Sequence, residues 1–114
     1  MGSSQDIAMK IIHNKWIPFG RDMYAINLFG IIFTKRHLSR VDLNHEYIHT
    51  MQQIELLFVF FYMFYVMEWV IRVIQTRSLI KGYLRISFER EAYENQRQND
   101  YRETRPWFAW RKYI

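Results

Sequence analysis

Apolar positions along this chain change their spacing three times, and each change marks a boundary between elements. Within residues 10–36 they form short runs: Ile11 and Ile12 fall in 10–16, and residues 24–34 read Y-A-I-N-L-F-G-I-I-F-T. Pro18, Gly20, Arg21 and Asp22 separate these runs. Short β-branched and aromatic runs bounded by turn residues predict strands, with Gly30 a bulge or a strand-to-strand turn. Such a hairpin would either roof the core or offer an edge to an added peptide strand.

After Ser39 the spacing becomes helical. Ser39 and Asp42 have the spacing of a capping box, so a helix should start near Arg40. No Gly or Pro interrupts residues 41–57, and Val41, Ile48, Met51, Ile54 and Leu57 recur at intervals of three, four and seven. Residues 56–74 are apolar nearly all round and predict a third kind of element, a long apolar helix. Its uncharged run, 56–67, is shorter than the ~20 residues that cross a bilayer, and Glu68 and Arg72 interrupt it at pairing distance. Residues 87–105 again lack Gly and Pro and predict one continuous polar helix with Ser87 as N-cap. In that helix Glu89 shares a face with Ala92, Tyr93 and Gln96. Glu91 shares a solvated face with Ser87, Glu94, Asn95 and Gln98. After Pro106 the chain ends W-F-A-W-R-K-Y-I, an interfacial anchor or a strap over the core. The expected fold class is α+β, in one domain spanning residues 1–114.

The second element carries the chemistry. His45-Glu46-Tyr47-Ile48-His49 reads H-E-x-x-H. Residues four apart share a helix face, so both imidazoles can hold one metal ion. Glu46, about 100° round the helix, can face a water on that ion without binding the ion itself. Zinc would lower the pKa of such a water, and Glu46 would act as general base. A catalytic site needs a third ligand. His13 and His37 lie upstream, and the metzincin spacing meets Gln52 and Glu55 where Gly and His are required. Downstream, Glu89 has the inward phase, and Glu91 is the alternative.

Here the chain resembles a known group. H-E-x-x-H followed about forty residues later by Glu89-Arg90-Glu91-Ala92-Tyr93 is similar to the E-x-x-A-D arrangement of membrane gluzincin peptidases. That resemblance implies a minimal zincin-like fold, zinc held by His45, His49 and Glu89, and hydrolysis of a peptide or protein substrate. Tyr93 stands where the group carries Asp, so support of a histidine ligand must come from elsewhere. A thermolysin-like alignment, E-A-x-x-D, would select Glu91 with Asn95 in the Asp position. Candidate oxyanion donors are Tyr93, Tyr83, Tyr47 and His37. The match covers residues 39–57 and 87–96, about a quarter of the chain. In size it also resembles small uncharacterised bacterial H-E-x-x-H proteins.

Composition narrows the surroundings. There is no cysteine, which excludes disulfides and thiolate sites, and the net charge of +5 favours anionic partners. The basic residues are spread along the chain without a nucleic-acid motif, which argues against nucleic-acid binding. Aromatics form 18% of residues. Phe58, Phe61, Tyr65, Trp69, Trp107 and Trp110 are candidates for contact with a membrane or a hydrophobic partner, a second copy included. A single crossing by 56–74 would place His45 and Glu89 on opposite sides of a bilayer core about 30 Å thick, so one zinc could not join them. A monotopic helix meets that constraint, with Arg72, Arg77, Lys81 and Arg85 toward headgroups; a soluble core helix meets it too. Residues 1–10 lack a basic start with an apolar run, so a cytoplasmic chain, peripheral or monotopic on the inner membrane, is expected. Met1-Gly2-Ser3-Ser4 resembles an expression-vector leader, and residues 1–9 are expected to be disordered or vector-derived. The competing function is a non-catalytic, membrane-associated binding or assembly protein with a structural or vestigial zinc site.

Overall fold

The computed structural model describes residues 10–18 and 24–114. The expectations for residues 1–9 and for a turn at Gly20–Asp22 lie outside the described residues. Strands β1 (Lys10–His13), β2 (Ala25–Leu28) and β3 (Ile31–Thr34) form a mixed sheet in the order β1-β3-β2. Strand β1 runs parallel to β3, and β2 pairs with β3 antiparallel from Leu28↔Ile31 to Ala25↔Thr34. The hairpin turns on Phe29 and Gly30, both at positive φ (55° and 82°), the conformation that two-residue hairpins prefer. Gly30 is therefore a turn residue. Phe29 is held there by its contacts: its N–H donates to the Tyr62 hydroxyl at 2.8 Å, and its ring packs on Phe58 and Tyr62.

Helix α1 (Arg40–Glu55) opens with the expected capping box: Asp42 N–H donates to Ser39 Oγ, and Ser39 N–H to Asp42 Oδ2. It stops two residues earlier than its apolar spacing suggests. Leu57 and Phe58 both adopt positive φ, and Phe58 N–H bonds back to the Gln53 carbonyl at 2.7 Å. The apolar run 56–74 is thus a sharp turn followed by α2 (Val59–Thr76). The chain then reverses at Arg77, and α3 (Leu79–Arg85), capped by Ser78, folds back along α2. Gly82 makes this possible, since a Cβ there would lie 2.6 Å from Val73 Cγ2 and 2.8 Å from its backbone N.

Two corrections concern the last helices. The continuous helix over 87–105 divides into α4 (Ser87–Asn95) and α5 (Tyr101–Thr104). Side chains break it: Asn44 Nδ2 takes the Gln96 carbonyl at 3.1 Å, and the Gln96 side chain is drawn to His45. Ser87 is the first residue of α4 rather than its cap, and its N–H and hydroxyl both donate to Glu68 of α2 at 2.9 and 2.6 Å. The chain ends in a 3-10 turn, Ala109–Tyr113, with Trp110 half-buried on Phe88 at 5.1 Å between ring centroids. The tail is a strap.

The core has two parts. Ile48, Ala92 and Tyr101 join α1 to α4 and α5, and Phe61, Ile86 and Phe88 join α2 to α4, with Tyr65, Trp69 and Trp110 packed around them. Phe61, expected to meet a membrane or partner, is buried. Most of the rest of α2 is exposed: Phe61 is its one buried residue. The fold class is α+β, and the interface of α1 with α4 positions the site.

Candidate metal centre

His45 and His49 project from one face of α1, and Glu89 meets them from the first turn of α4. Ala92, fully buried three residues on, lets the two helices approach closely. His45 Nε2 and His49 Nε2 are 3.1 Å apart, and Glu89 Oε1 lies 3.3 and 3.1 Å from them. All three residues are buried. Ligand atoms ~2.0–2.1 Å from a tetrahedral ion are about 3.3 Å from one another, so this triangle has the size of one face of such a site. The cluster can hold a metal ion.

The surrounding amides fix the imidazoles in the right form. Gln52 Nε2 donates to the Phe88 carbonyl (2.9 Å) and to Glu91 Oε1 (3.0 Å), two groups that only accept. Its Oε1 must then face His49, and at 2.8 Å the His49 Nδ1 donates to it. His49 therefore presents Nε2 to the cluster. His45 is held likewise, its Nδ1 2.7 Å from Gln96 Oε1. Metal-binding histidines are usually oriented by such partners on the other ring nitrogen. Gln52 and Gln96 are the partners that orient the two imidazoles here.

Tyr65 of α2 donates to the second carboxylate oxygen of Glu89 at 2.6 Å, leaving Oε1 for the cluster. It was expected at a membrane or partner; it reaches the site instead. Tyr93 packs edge-on against His45 at 4.5 Å, and its hydroxyl lies 3.0 Å from that of Tyr83, so both stand beside the site. Tyr47 lies elsewhere, with the Arg102 guanidinium over its ring at 4.5 Å. His13 and His37 are exposed and lie outside the cluster.

Glu91 is not on a solvated face. It is fully buried, and its carboxylate accepts from Arg105 Nε (2.7 Å) and Nη2 (3.1 Å), from Tyr101 (2.8 Å) and from Gln52. Arg105 also grips Glu55 at 2.8 and 3.0 Å, and Glu55 accepts from Phe108 N–H. With its oxygens so occupied, Glu91 is a structural anchor that ties the C-terminal strap to α1.

Glu46 stands next to His45 on α1, and Asn27 Nδ2 donates to its backbone carbonyl at 2.9 Å, fixing β2 beside it. Its carboxylate makes no hydrogen bond among the described residues. Burial raises its pKa, and Glu89 and Asp42 add to that, against the opposing pull of His49 and His45. Burial alone would lower the His49 pKa, but the charge and hydrogen bond of Glu89, aided by Glu46, raise it to about 9. For Glu89, the two imidazoles outweigh burial and hold the carboxyl well below its usual range.

In the metal-free protein, a proton on His49 Nε2 thus occupies the place of a cation. Its stabilising effect is complete below the ordinary histidine value of 6.5 and is lost as pH rises through about 9. The Glu89 effect is complete above 4.5 and is lost as pH falls below it. Chelator-treated protein should therefore lose stability between pH 6.5 and 9, by on the order of 3 kcal/mol. Metal affinity should rise over the same interval as that proton leaves. Urea titrations with chelator and with excess metal at both ends of the interval test this. A metal-free stability unchanged across it would show that His49 is not protonated in the folded chain.

Compared with known proteins, the chain matches no family model, no curated protein and no solved structure.

Proposed function

We propose that the chain is a zinc-dependent hydrolase of peptide bonds, working in the manner of gluzincins. The observation that carries this is a three-ligand cluster of two Nε2 atoms and one carboxylate oxygen, with Glu46 next to it on the same helix. An N₂O donor set on a preformed triangle suits zinc. No fourth His, Cys, Asp or Glu joins it among the described residues, which supports an open coordination position rather than a closed structural site. Bound zinc would acidify a water and polarise the scissile carbonyl. Glu46, with its raised pKa and unbonded carboxylate, takes the proton from the attacking water and returns it to the leaving amine. Tyr65 and the two glutamines hold the ligands in place. The Tyr83–Tyr93 pair donates to the developing oxyanion, and burial, which raises both pKa values, keeps both phenols protonated.

Zinc content and cleavage of a peptide library test the reading together. Close to one zinc per chain, with cleavage stopped by a chelator and restored by zinc, is expected. A chain that takes up no zinc on reconstitution would overturn it.

A second reading has its own observation. All three ligands are buried, and an open basin of about 580 Å³ beside Gln96 is lined by Arg36, His37 and Arg97 but by none of the ligands. That favours a binding or assembly protein stabilised by zinc. Zinc bound in full, with melting on chelation and no cleavage of any peptide, would select it.

A further inference from the structure

Helix α2 has two faces with different tasks. Phe61, Tyr65 and Glu68, spaced by four and three residues, point inward: to Phe88, to Glu89 and to Ser87 respectively. The opposite face carries Phe60, Phe64, Met67, Val70, Ile71 and Ile74, all between 44% and 71% exposed. Helix α3 extends this surface with Leu79 and Ile80, each 64% exposed, and Leu84. So long an apolar surface is far more than soluble monomers ordinarily leave to water.

Charge says what covers it. From residue 69 to residue 88 the chain has four cations, Arg72, Arg77, Lys81 and Arg85, and no Asp or Glu. Arg72 is paired with Glu68. Arg77, Lys81 and Arg85 are exposed, with no acidic partner among the described residues. Lys81 and Arg85 lie four apart on α3, beside the Ile80 and Leu84 row. An apolar face bordered by unpaired cations fits a layer that is apolar within and anionic at its surface. A second copy of the chain fits less well, because the hairpin's one acidic residue, Glu68, is already engaged by Arg72 and Ser87 and cannot meet those cations.

The α2 helix is long and apolar enough to cross a membrane by length and composition. Yet contacts with α4 hold it at Phe61, Tyr65 and Glu68, along more than one turn of one side, and α3 lies against it further on. A helix clamped to its domain in this way lies along a surface. We propose that the α2–α3 hairpin seats in the interfacial layer of an anionic bilayer leaflet, with α2 in the membrane plane and Arg77, Lys81 and Arg85 at the headgroups. The inference goes beyond the hydrolase reading and does not depend on bound metal.

Vesicle flotation of the whole chain tests it, with phosphatidylcholine alone and with one third phosphatidylglycerol. Because the chain has no cysteine, Met67→Cys and Glu94→Cys can each carry a single environment-sensitive dye. Binding to the anionic vesicles should be at least about tenfold tighter, and reversing Lys81 and Arg85 to Glu should remove that preference. The dye at position 67 should shift to the blue on binding, and the dye at 94, on exposed α4 surface, should not. The two reversed positions are on the surface, and an unchanged far-UV spectrum verifies the fold. The wild-type comparison of the two lipids needs no variant at all. No binding to either vesicle, with the chain eluting as a dimer or larger, would overturn the proposal and assign the face to a second copy. Equal binding to both lipids would overturn its anionic part.

Discussion

Glutamine in place of Glu46 should leave zinc content unchanged and lower peptide hydrolysis by about two to four orders of magnitude. The side chains have nearly the same shape, and position 46 is outside the ligand triangle, so the change removes basicity and little else. Its backbone role survives, since the bond from Asn27 goes to the carbonyl oxygen. The Glu46 carboxylate is suited to moving a proton because burial raises its pKa and no donor among the described residues engages it. A carboxylate locked in an ion pair, as Glu91 is, would be a poor base. The acidic limb of the pH–rate profile, set by protonation of Glu46, should disappear from any residual activity of the glutamine variant. Metal content with kcat/KM on a peptide that the wild-type chain cleaves decides the matter. Equal activity would remove Glu46 from the mechanism; loss of zinc would move it into the ligand set.

What could be seen in the sequence was local, and what could not depended on distant partners. The capping box at Ser39 and Asp42 is made within one turn, so it needs no tertiary contact to form. The four-residue spacing of His45 and His49 fixes their common face in the same way. Glu89 was legible because Ala92 follows it on an inward face, where a small residue permits close helix packing. The opposite phase misled. Glu91 is surrounded in sequence by Glu94, Asn95 and Gln98, and a buried carboxylate looks like a solvated one until its cation is found. That cation, Arg105, lies fourteen residues on and beyond a break that no Gly or Pro announces. The turn at Leu57 and Phe58 was hidden for the same reason, since both residues sit at positive φ inside an apolar run. Helix α3 went unseen because its seven residues are too short to show a helical period, and beyond the Ser78 cap it is fixed by a distant contact, Gly82 against Val73. Tyr65 was indistinguishable from its apolar neighbours until Glu89 came within 2.6 Å of it.

Glu89 and Glu91 of α4, alike in sequence and two residues apart, should fail in opposite ways when each is changed to alanine. Glu89→Ala should lose essentially all high-affinity zinc, because two imidazoles on one helix are then the only ligands left. It should still fold when metal-free near neutral pH, since without its carboxylate neighbour His49 can shed its proton and remain neutral. Glu91→Ala should keep its zinc and instead lose about 3–5 kcal/mol of stability, the usual cost of leaving half of a buried ion pair. Arg105 would retain Glu55 but lose two hydrogen bonds, while Tyr101 and Gln52 would each lose an acceptor. Such a loss is a large share of the ~5–15 kcal/mol that holds a domain of this size together. Gln52 would still be held by the Phe88 carbonyl, so His49 keeps its orientation and zinc affinity changes little. Urea midpoints and zinc content on both variants read the two effects separately. Zinc lost from a folded Glu91→Ala chain and kept by Glu89→Ala would exchange their roles, and the Arg105 network would then need another reason to exist.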